Sequence, residues 1–478
     1  MDPFERLAAQ GAMIERLTAD SRRCAPGSAF FAYPGEKTDG RAHIADALSR
    51  GAAAVLWEAD GFEWRSDWRV PNLAVGGLKQ RASVLAADFH GRPSEHLWVC
   101  GVTGTNGKTS SSQWIAAALE RHGTHAGVVG TLGSGFPGAL RDTGNTTPDA
   151  LDLQTTLHEL RNAGARAVAM EVSSHGLVQG RVNGVRFSCA LFTNLSHDHL
   201  DYHGTMQAYG EAKAQLFSMA GLQTAVLNLD EPFGRELARR LAGRVRTIGY
   251  SLDRVARGVV EESISVNALM QLESNWGAGQ LVTRQVGRFN VSNVLGVLGA
   301  LMACGVPYPQ ALALVAELPD VPGRMQVVGE RPLVVVDYAH TPDALEKVLA
   351  TLQPIAAERG GRLAIVFGAG GDRDPAKRPL MGAAASRGAD RVFITSDNPR
   401  SEEPAAIIDE VARGASGQPR REAERRRAIE AAVLEAAPED VVLIAGKGHE
   451  SYQEIRGARL PFSDQDVARA ALAKRSGR

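Results

Sequence analysis

Four cysteines in 478 residues are too few and too scattered to frame this chain covalently. Cys24, Cys100, Cys189 and Cys304 form no C-x-x-C pair, which argues against a disulfide scaffold and a zinc site; reduced thiols in a cytosolic protein are expected. Excess charge is missing too. A formal net charge of -1 provides no basic field for nucleic acid and no acidic tail, so substrate charge must be met by local residues. No apolar run approaches the ~20 residues of a membrane span. Met1-Asp2-Pro3-Phe4-Glu5-Arg6 lacks the basic-then-apolar order of a signal peptide, so none is expected. There is no internal repeat, no N-K-x-D guanine motif, and no sign of a Ser-His-Asp or Cys-His nucleophile. What remains is a chain 44% hydrophobic, long enough for about three domains.

The chain is organised around Gly101-Val102-Thr103-Gly104-Thr105-Asn106-Gly107-Lys108-Thr109-Ser110. An apolar run, Leu97 to Cys100, leads in, and a helical pattern through Trp114, Ile115, Ala118 and Leu119 leads out. Strand, glycine loop and helix form the context of a phosphate loop. The glycines let backbone N–H groups curl around phosphate, the helix N-terminus adds positive dipole, Lys108 adds charge, and the Thr109 hydroxyl suits Mg²⁺. The spacing departs from the strict G-x-x-x-x-G-K-[ST] form, which puts glycine where Val102 stands.

The expected fold is α/β with three domains. Residues 1–92 read as a small α/β domain, with a strand at Ala29–Tyr33, a turn at Gly35–Gly40, a helix at Ile44–Arg50 and a strand at Ala52–Leu56. Residues 93–318 alternate strand and helix around the phosphate loop, as a central mononucleotide-binding parallel sheet. Within them 250–285 reads as irregular, with alternation near Leu281-Val282-Thr283, and a helix is expected at Val291–Cys304. Residues 319–478 read as a C-terminal Rossmann-like α/β domain, with polar helices around 404–414 and 421–437. Arg425-Arg426-Arg427 reads as a solvated helix face. Open α/β sheets bind ligands beyond the carboxyl ends of their strands. That rule gathers the phosphate loop, Glu171 and 194–203 at one site, and the loops 368–374, 396–402 and 446–450 at another.

Local chemistry leaves alternatives open. Asp20-Ser21-Arg22 suits an anion, though a turn is the better reading. Glu171, next to Ser173-Ser174-His175, is placed to hold magnesium, which takes a few carboxylates plus phosphate and water. His197-Asp198-His199-Leu200-Asp201-Tyr202-His203 holds either magnesium ligands or structural histidines; it is not a zinc pattern. Lys213, on a helix with Tyr209, reads as a solvated surface charge. Arg378, Arg400 and Glu450 suit an amino acid, since guanidinium forks grip carboxylates and Glu accepts from an ammonium; surface ion pairs are the alternative. Gly368-Ala369-Gly370-Gly371-Asp372 lacks the third glycine of a dinucleotide fingerprint.

Taken together and in order, several runs resemble the Mur ligases, the ATP-dependent amino-acid-adding enzymes of peptidoglycan synthesis. They are Gly101–Ser110, Asn145–Pro148, Met170–Leu177, Thr193–Gly204, Asp337–Pro342, Gly371–Asp374, Asp397–Arg400 and Gly446–Glu450. The resemblance covers essentially the whole chain and is nearest to the type that adds meso-diaminopimelate. The offset glycine is that family's own form. The resemblance implies a cytoplasmic, monomeric ligase that joins meso-diaminopimelate to UDP-MurNAc-L-Ala-D-Glu through an acyl phosphate, with ATP as co-substrate and two Mg²⁺. It also implies roles in cell shape and division.

The same resemblance assigns residues. Ser21, Glu36, Lys37, Thr38, Asn145, Thr146, Thr147, Ser173, Gln179 and Arg181 would hold the UDP-muramoyl dipeptide. Gly104, Thr105, Asn106, Gly107, Lys108, Thr109, Ser110, Asn293, Arg324, Asp337 and His340 would hold ATP. Thr109 and Glu171 would serve one magnesium. Glu171, His199 and Lys213, the last as a carbamate, would serve the other. Lys108, Glu171, His199 and Lys213 form the catalytic set, with His203 a guess at the general base. Arg378, Asp397, Asn398, Pro399, Arg400, Gly446 and Glu450 would hold diaminopimelate, with Arg400 discriminating its distal carboxylate from lysine. Rival readings are another amide ligase of this fold, such as a folylpolyglutamate synthetase, and a nucleotide-dependent switch.

Overall fold

The computed structural model describes every residue except Met1, Lys37, 254–259, Glu261, Ala268 and 477–478. Three large sheets follow one another along the chain, and helices cover them. In the first, Arg16–Thr18, Ser28–Ala32, Ala54–Glu58 and Asn72–Val75 pair in chain order, all parallel. Ser28–Ala32 is buried at every position, as an apolar run inside a covered parallel sheet should be. Helix Leu78–Phe89 packs Leu78, Ala82 and Leu85 onto Phe31, Leu56 and Leu73, and Ala150 and Leu151 of helix Ala150–Asn162 complete that core. The first core therefore draws on residues well past 92.

The second sheet has eleven strands. Their order is Gly277–Gln280, Gln271–Ser274, Glu262–Val266, Arg246–Ser251, Thr224–Asn228, Cys189–Phe192, Trp98–Thr103, Ala167–Glu171, Ala126–Gly130, Gly133–Phe136, Ala139–Arg141. The middle seven are parallel. The two at each end are antiparallel. The stretch read as irregular thus extends the sheet, and Leu281-Val282-Thr283 lies just past its last strand. These edge strands are short, polar and glycine-containing, so they carry little apolar alternation to read. Helices Lys108–Arg121 and Arg288–Ala303 cover one face; Ala150–Asn162 and Pro232–Leu241 cover the other.

The third sheet runs Gln326–Glu330, Leu333–Asp337, Val441–Ala445, Leu363–Phe367, Arg391–Thr395, Arg420–Glu422, antiparallel only at its first pair. Helices Pro342–Glu358, Lys377–Gly388 and Pro404–Gly414 pack on one face, Arg425–Glu435 and Asp464–Ser476 on the other. This is a doubly wound sheet, and a hairpin, Tyr452–Ile455 with Ala458–Pro461, stands beside it. Arg425 corrects the solvated-face reading: it is 1% exposed, while Arg426 and Arg427 face solvent. Lys213 corrects the surface reading in the same way, at 1% exposed on helix Met206–Ala214. All four cysteines are free; three are buried and Cys304 is partly so. Among the described residues no helix is long and apolar enough to cross a membrane.

Candidate active site

The outer glycine of the phosphate-loop pattern lies inside strand Trp98–Thr103. A Cβ on Gly101 would stand 2.7 Å from Phe187 Cε1, so that glycine serves sheet packing and the turn itself is 104–107. Gly104 has φ +150°, and a Cβ there would strike Thr193 Oγ1 at 1.9 Å. The neighbouring strand end pins the loop. Thr105 N–H donates to Asn194 O at 2.9 Å, Asn106 N–H to Asn194 Oδ1 at 2.9 Å, and Thr193 Oγ1 to Asn106 O at 2.6 Å. Helix Lys108–Arg121 starts at once, so its unpaired N–H groups and positive dipole face the cavity.

Two lysines converge on one carbonyl. Lys108 Nζ and Lys213 Nζ each donate to Gly104 O at 2.9 Å, and Lys108 also reaches Thr105 O at 2.8 Å. Burial lowers both pKa values; for Lys213 the Lys108 cation lowers it further, and the result lies well below the ordinary lysine value. Lys213 Nζ also sits 4.2 Å from the centre of the Tyr209 ring.

Glu171 ends strand Ala167–Glu171 and is 1% exposed. Its carboxylate accepts from Thr109 Oγ1 at 3.0 Å, Thr131 N–H at 2.7 Å and Thr131 Oγ1 at 3.1 Å, all neutral donors. A buried carboxylate with neutral partners beside a hydroxyl at a helix start fits a hard cation. Among the described residues no three His, Cys, Asp or Glu come close enough to hold a metal unaided.

His199 lies across the cavity, with its ring against His175 (4.9 Å between centres) and Tyr209 (6.0 Å). Burial, then His175, Lys108 and Lys213, push it down to about 3 against the pull of Asp198, so the imidazole is neutral. Asp198 is buried, which disfavours its charge, yet it is held below the usual carboxylate range; with His199 neutral, the Lys377 ammonium is the cation beside it. Lys377 Nζ meets Asp198 Oδ1 at 3.2 Å and ties the third sheet's helices to the second sheet. Asp198 was named within the 197–203 run but given no role of its own, and Lys377, beside Arg378, was passed over. His203 donates to or accepts from Ser174 Oγ at 2.9 Å.

A cavity of about 930 Å³ joins the loop to the C-terminal sheet. Thr105 to Ser110, Glu171, His199, Asn293, Arg324, Asp337 and His340 line it. Arg324 Nη2 donates to Thr109 Oγ1 at 3.0 Å and its guanidinium lies 4.3 Å over Tyr338. Asp337 accepts from Met325 N–H at 2.8 Å and Ala339 N–H at 2.7 Å, which fixes the segments carrying Arg324 and His340. Gly104 and Lys213 lie behind this lining.

The far wall of the same cavity holds Arg378, Asp397, Asn398, Arg400, Gly446 and Glu450. Asn398 Nδ2 donates to Glu450 Oε2 at 2.9 Å, and the fully buried Lys447 bridges Asn398 Oδ1 (2.9 Å) and Glu450 Oε2 (2.8 Å). Lys447 was quoted within its run but given no role. Arg400 takes φ +52° after Pro399. Two backbone bonds to the hairpin hold it there: its N–H to Glu454 O at 3.0 Å and Arg456 N–H to its own O at 2.6 Å. Its Nη1 donates to Gly371 O at 2.6 Å. Arg378 is 2% exposed, and its fork already engages Glu402 (2.8 and 2.7 Å) and Glu410 (2.9 Å). Its guanidinium therefore has protein carboxylates where a substrate carboxylate was expected.

Of the described residues expected on the UDP side, Thr146 lines this cavity and the others do not. Glu36 of the first unit accepts from Gln179 Nε2 at 2.5 Å and Tyr202 OH at 2.9 Å. Arg181 donates to Gln179 Oε1 at 2.8 Å and Thr147 O at 2.7 Å, and Thr147 Oγ1 meets Ser173 Oγ at 3.1 Å. Thr38 pairs with His43 at 3.0 Å, Ser21 is buried, and Asn145 is exposed. Lys37 lies outside the described residues.

The profile described as "Mur ligase family, catalytic domain" matches residues 13–90, "Mur ligase middle domain" 102–301, and "Mur ligase, glutamate ligase domain" 323–448. The chain belongs to the Mur ligase family. It is 52% identical over 468 residues to a Chromobacterium violaceum protein named UDP-N-acetylmuramoyl-L-alanyl-D-glutamate–2,6-diaminopimelate ligase, covering 97% of this chain and 95% of that one. A Pseudomonas aeruginosa protein of the same name is 52% identical over 471 residues, covering 96% and 95%. A solved structure with that name is 37% identical, with TM-score 0.66 over 97% of this chain and 95% of that one. The Thermotoga maritima MurF ligase in complex with ADP shares the fold at TM-score 0.64 and 18% identity, covering 97% of this chain and 98% of that one.

Proposed function

We propose that this chain is an ATP-dependent ligase that adds meso-2,6-diaminopimelate to UDP-MurNAc-L-Ala-D-Glu, in cytoplasmic peptidoglycan precursor synthesis. The observation that carries this reading is that the phosphate loop and the Asp397–Arg400 segment open into one cavity. The relatives' shared name supplies the substrates.

A carboxylate is a poor electrophile, so the dipeptide's terminal carboxylate takes the γ-phosphoryl group of ATP, releasing ADP. The neutral amine of diaminopimelate then attacks the acyl carbon, and phosphate leaves. The chain's part is positioning and charge. Lys108 and the start of helix Lys108–Arg121 face the phosphates; Asn293, Arg324 and His340 hold the nucleotide from the other side, and Asp337 orients the latter two. Thr109 and Glu171 would hold one magnesium, and Glu171, His199 and carbamylated Lys213 a second. Bound there, two Mg²⁺ would neutralise charge on the transferring phosphoryl group. A buried lysine amine of lowered pKa is the neutral nucleophile that carbon dioxide needs, and its carbamate would be attracted to the Lys108 cation. Glu36, Gln179, Arg181, Thr147 and Ser173 hold the nucleotide-dipeptide. Asp397, Asn398, Arg400 and Glu450 hold the amino acid, Arg400 gripping its distal carboxylate, while Arg378 braces the pocket through Glu402 and Glu410.

Dipeptide labelled with ¹⁸O in its terminal carboxylate tests the activation step. One label should pass to inorganic phosphate for each tripeptide formed. Tripeptide formation with unlabelled phosphate would sink the acyl-phosphate route.

A further inference from the structure

Arg425 and Asp464 are the first residues of two packed helices, and both side chains are fully buried. Arg425 Nε donates to Asp464 Oδ1 and Nη2 to Oδ2, each at 2.7 Å. The remaining donor directions leave the pair. Nη2 reaches Ala445 O at 2.9 Å and Nη1 reaches Ser396 O at 3.3 Å.

Those two carbonyls belong to different places in the sheet. Ala445 ends strand Val441–Ala445, and Ser396 follows strand Arg391–Thr395. Strand Leu363–Phe367 lies between them, so the strand ends are about 10 Å apart, two strand spacings. Each carbonyl is the last group before a segment of the proposed amino-acid pocket, 397–400 on one side and 446–450 on the other. The two segments meet closely: a Cβ on Gly446 would lie 2.5 Å from Asp397 Oδ2 and 3.8 Å from Arg425 Nη2. A charged pair without solvent exposure has a large desolvation cost, and well-packed apolar residues would serve stability as well or better. Its planar, four-directional geometry does something an apolar pair cannot: it fixes both strand ends at one separation.

We propose that Arg425, oriented by Asp464, is a positioning residue that sets the spacing of the two amino-acid-binding segments and so the fit of the incoming amino acid. This rests on the reading of Asp397–Arg400 and Glu450 as that pocket. The arginine touches no substrate itself.

The test is Arg425→Lys, which keeps a cation beside Asp464 but has no fork. Thermal unfolding is measured alongside KM for ATP, for the nucleotide-dipeptide and for meso-diaminopimelate. A misplacement of ~1 Å costs up to ~100-fold, so KM for the amino acid should rise about tenfold or more while KM for ATP stays within about twofold. Proportional changes in all constants, tracking the loss of Tm, would overturn the proposal, as would an unchanged amino-acid KM. If Arg425→Lys does not fold, the double variant Arg425→Met/Asp464→Leu, which removes both buried charges, is read the same way. Failure of both to fold would also overturn it, since the pair would then hold the fold and not the pocket. Arg400→Ala separates the underlying reading: an unchanged amino-acid KM there would sink the pocket assignment itself.

Discussion

Replacing Lys213 probes the least comfortable arrangement in the site. Lys108 Nζ and Lys213 Nζ both lie 2.9 Å from Gly104 O, so they stand at most 5.8 Å apart, twice that distance. Two cations at that separation repel by about 3 kcal/mol at an effective dielectric of ~20. Burial relieves that repulsion by shedding the Lys213 proton, and the proposed carbamate would turn the neutral amine into an anion attracted to Lys108 by about 3 kcal/mol before desolvation. Lys213→Met keeps the length and apolar packing of the side chain and removes the charge. In ¹³CO₂-equilibrated samples the wild type should show a carbamate carbon signal by NMR that Lys213→Met lacks. Losing a partner of a metal ligand costs ~10–100-fold, so losing a ligand itself should cost more than about 100-fold in kcat. Lys213→Ala, which leaves room, should recover part of it with short carboxylic acids. The pH dependence has a definite sign. An unfolded-chain lysine keeps its proton to about pH 10.4. Buried Lys213 releases its proton at lower pH. Between those values the unfolded state binds more protons, so without carbon dioxide wild-type stability should rise with pH, and Lys213→Met should lack that rise. Full activity in Lys213→Ala, or a carbamate signal that survives in Lys213→Met, would rule out a carbamate on Lys213.

Other substitutions probe separate walls of the cavity. Arg400→Ala removes the guanidinium proposed to grip the distal carboxylate; charged hydrogen bonds contribute about 1.5–3 kcal/mol, so KM for diaminopimelate should rise by about 10- to 150-fold. Lys377→Met leaves Asp198 buried without its cross-unit cation and should lower stability by about 2–3 kcal/mol in denaturant titration. Asp198 itself, held below the usual carboxylate value, contributes fully above pH ~3.9 and loses that contribution as pH falls further; Asp198→Asn should flatten the acid limb of the stability curve. Gly104→Ala puts a Cβ 1.9 Å from Thr193 Oγ1 and should abolish ATP binding by calorimetry, while far-ultraviolet circular dichroism stays native.

The sequence carried the parallel strands well, because runs such as Ala167-Val168-Ala169-Met170 are buried on both faces and show it in composition. Strands Gln271–Ser274 and Gly277–Gln280, at one edge of the second sheet, were illegible: exposed, polar and short, they form through pairing to a neighbour. Glu171 and the phosphate loop could be placed by their strand ends alone. Lys213 and Arg425 could not. Both are long cations on helices, where solvent is the rule, and only tertiary structure reveals the buried carbonyls they reach. The resemblance lifted Lys213 out of that rule; nothing did so for Arg425. Arg378 shows the converse, a residue placed at the right wall whose partners Glu402 and Glu410 lie too far along the chain to foresee.

The decisive assay for ligation follows phosphate release from ATP with UDP-MurNAc-L-Ala-D-Glu present and meso-diaminopimelate, lysine or glutamate added in turn. Release should require both the dipeptide and meso-diaminopimelate, with lysine and glutamate far weaker. Release indifferent to the amino acid would contradict ligation, and stimulation by lysine or glutamate above diaminopimelate would contradict the assignment of the Arg400 pocket.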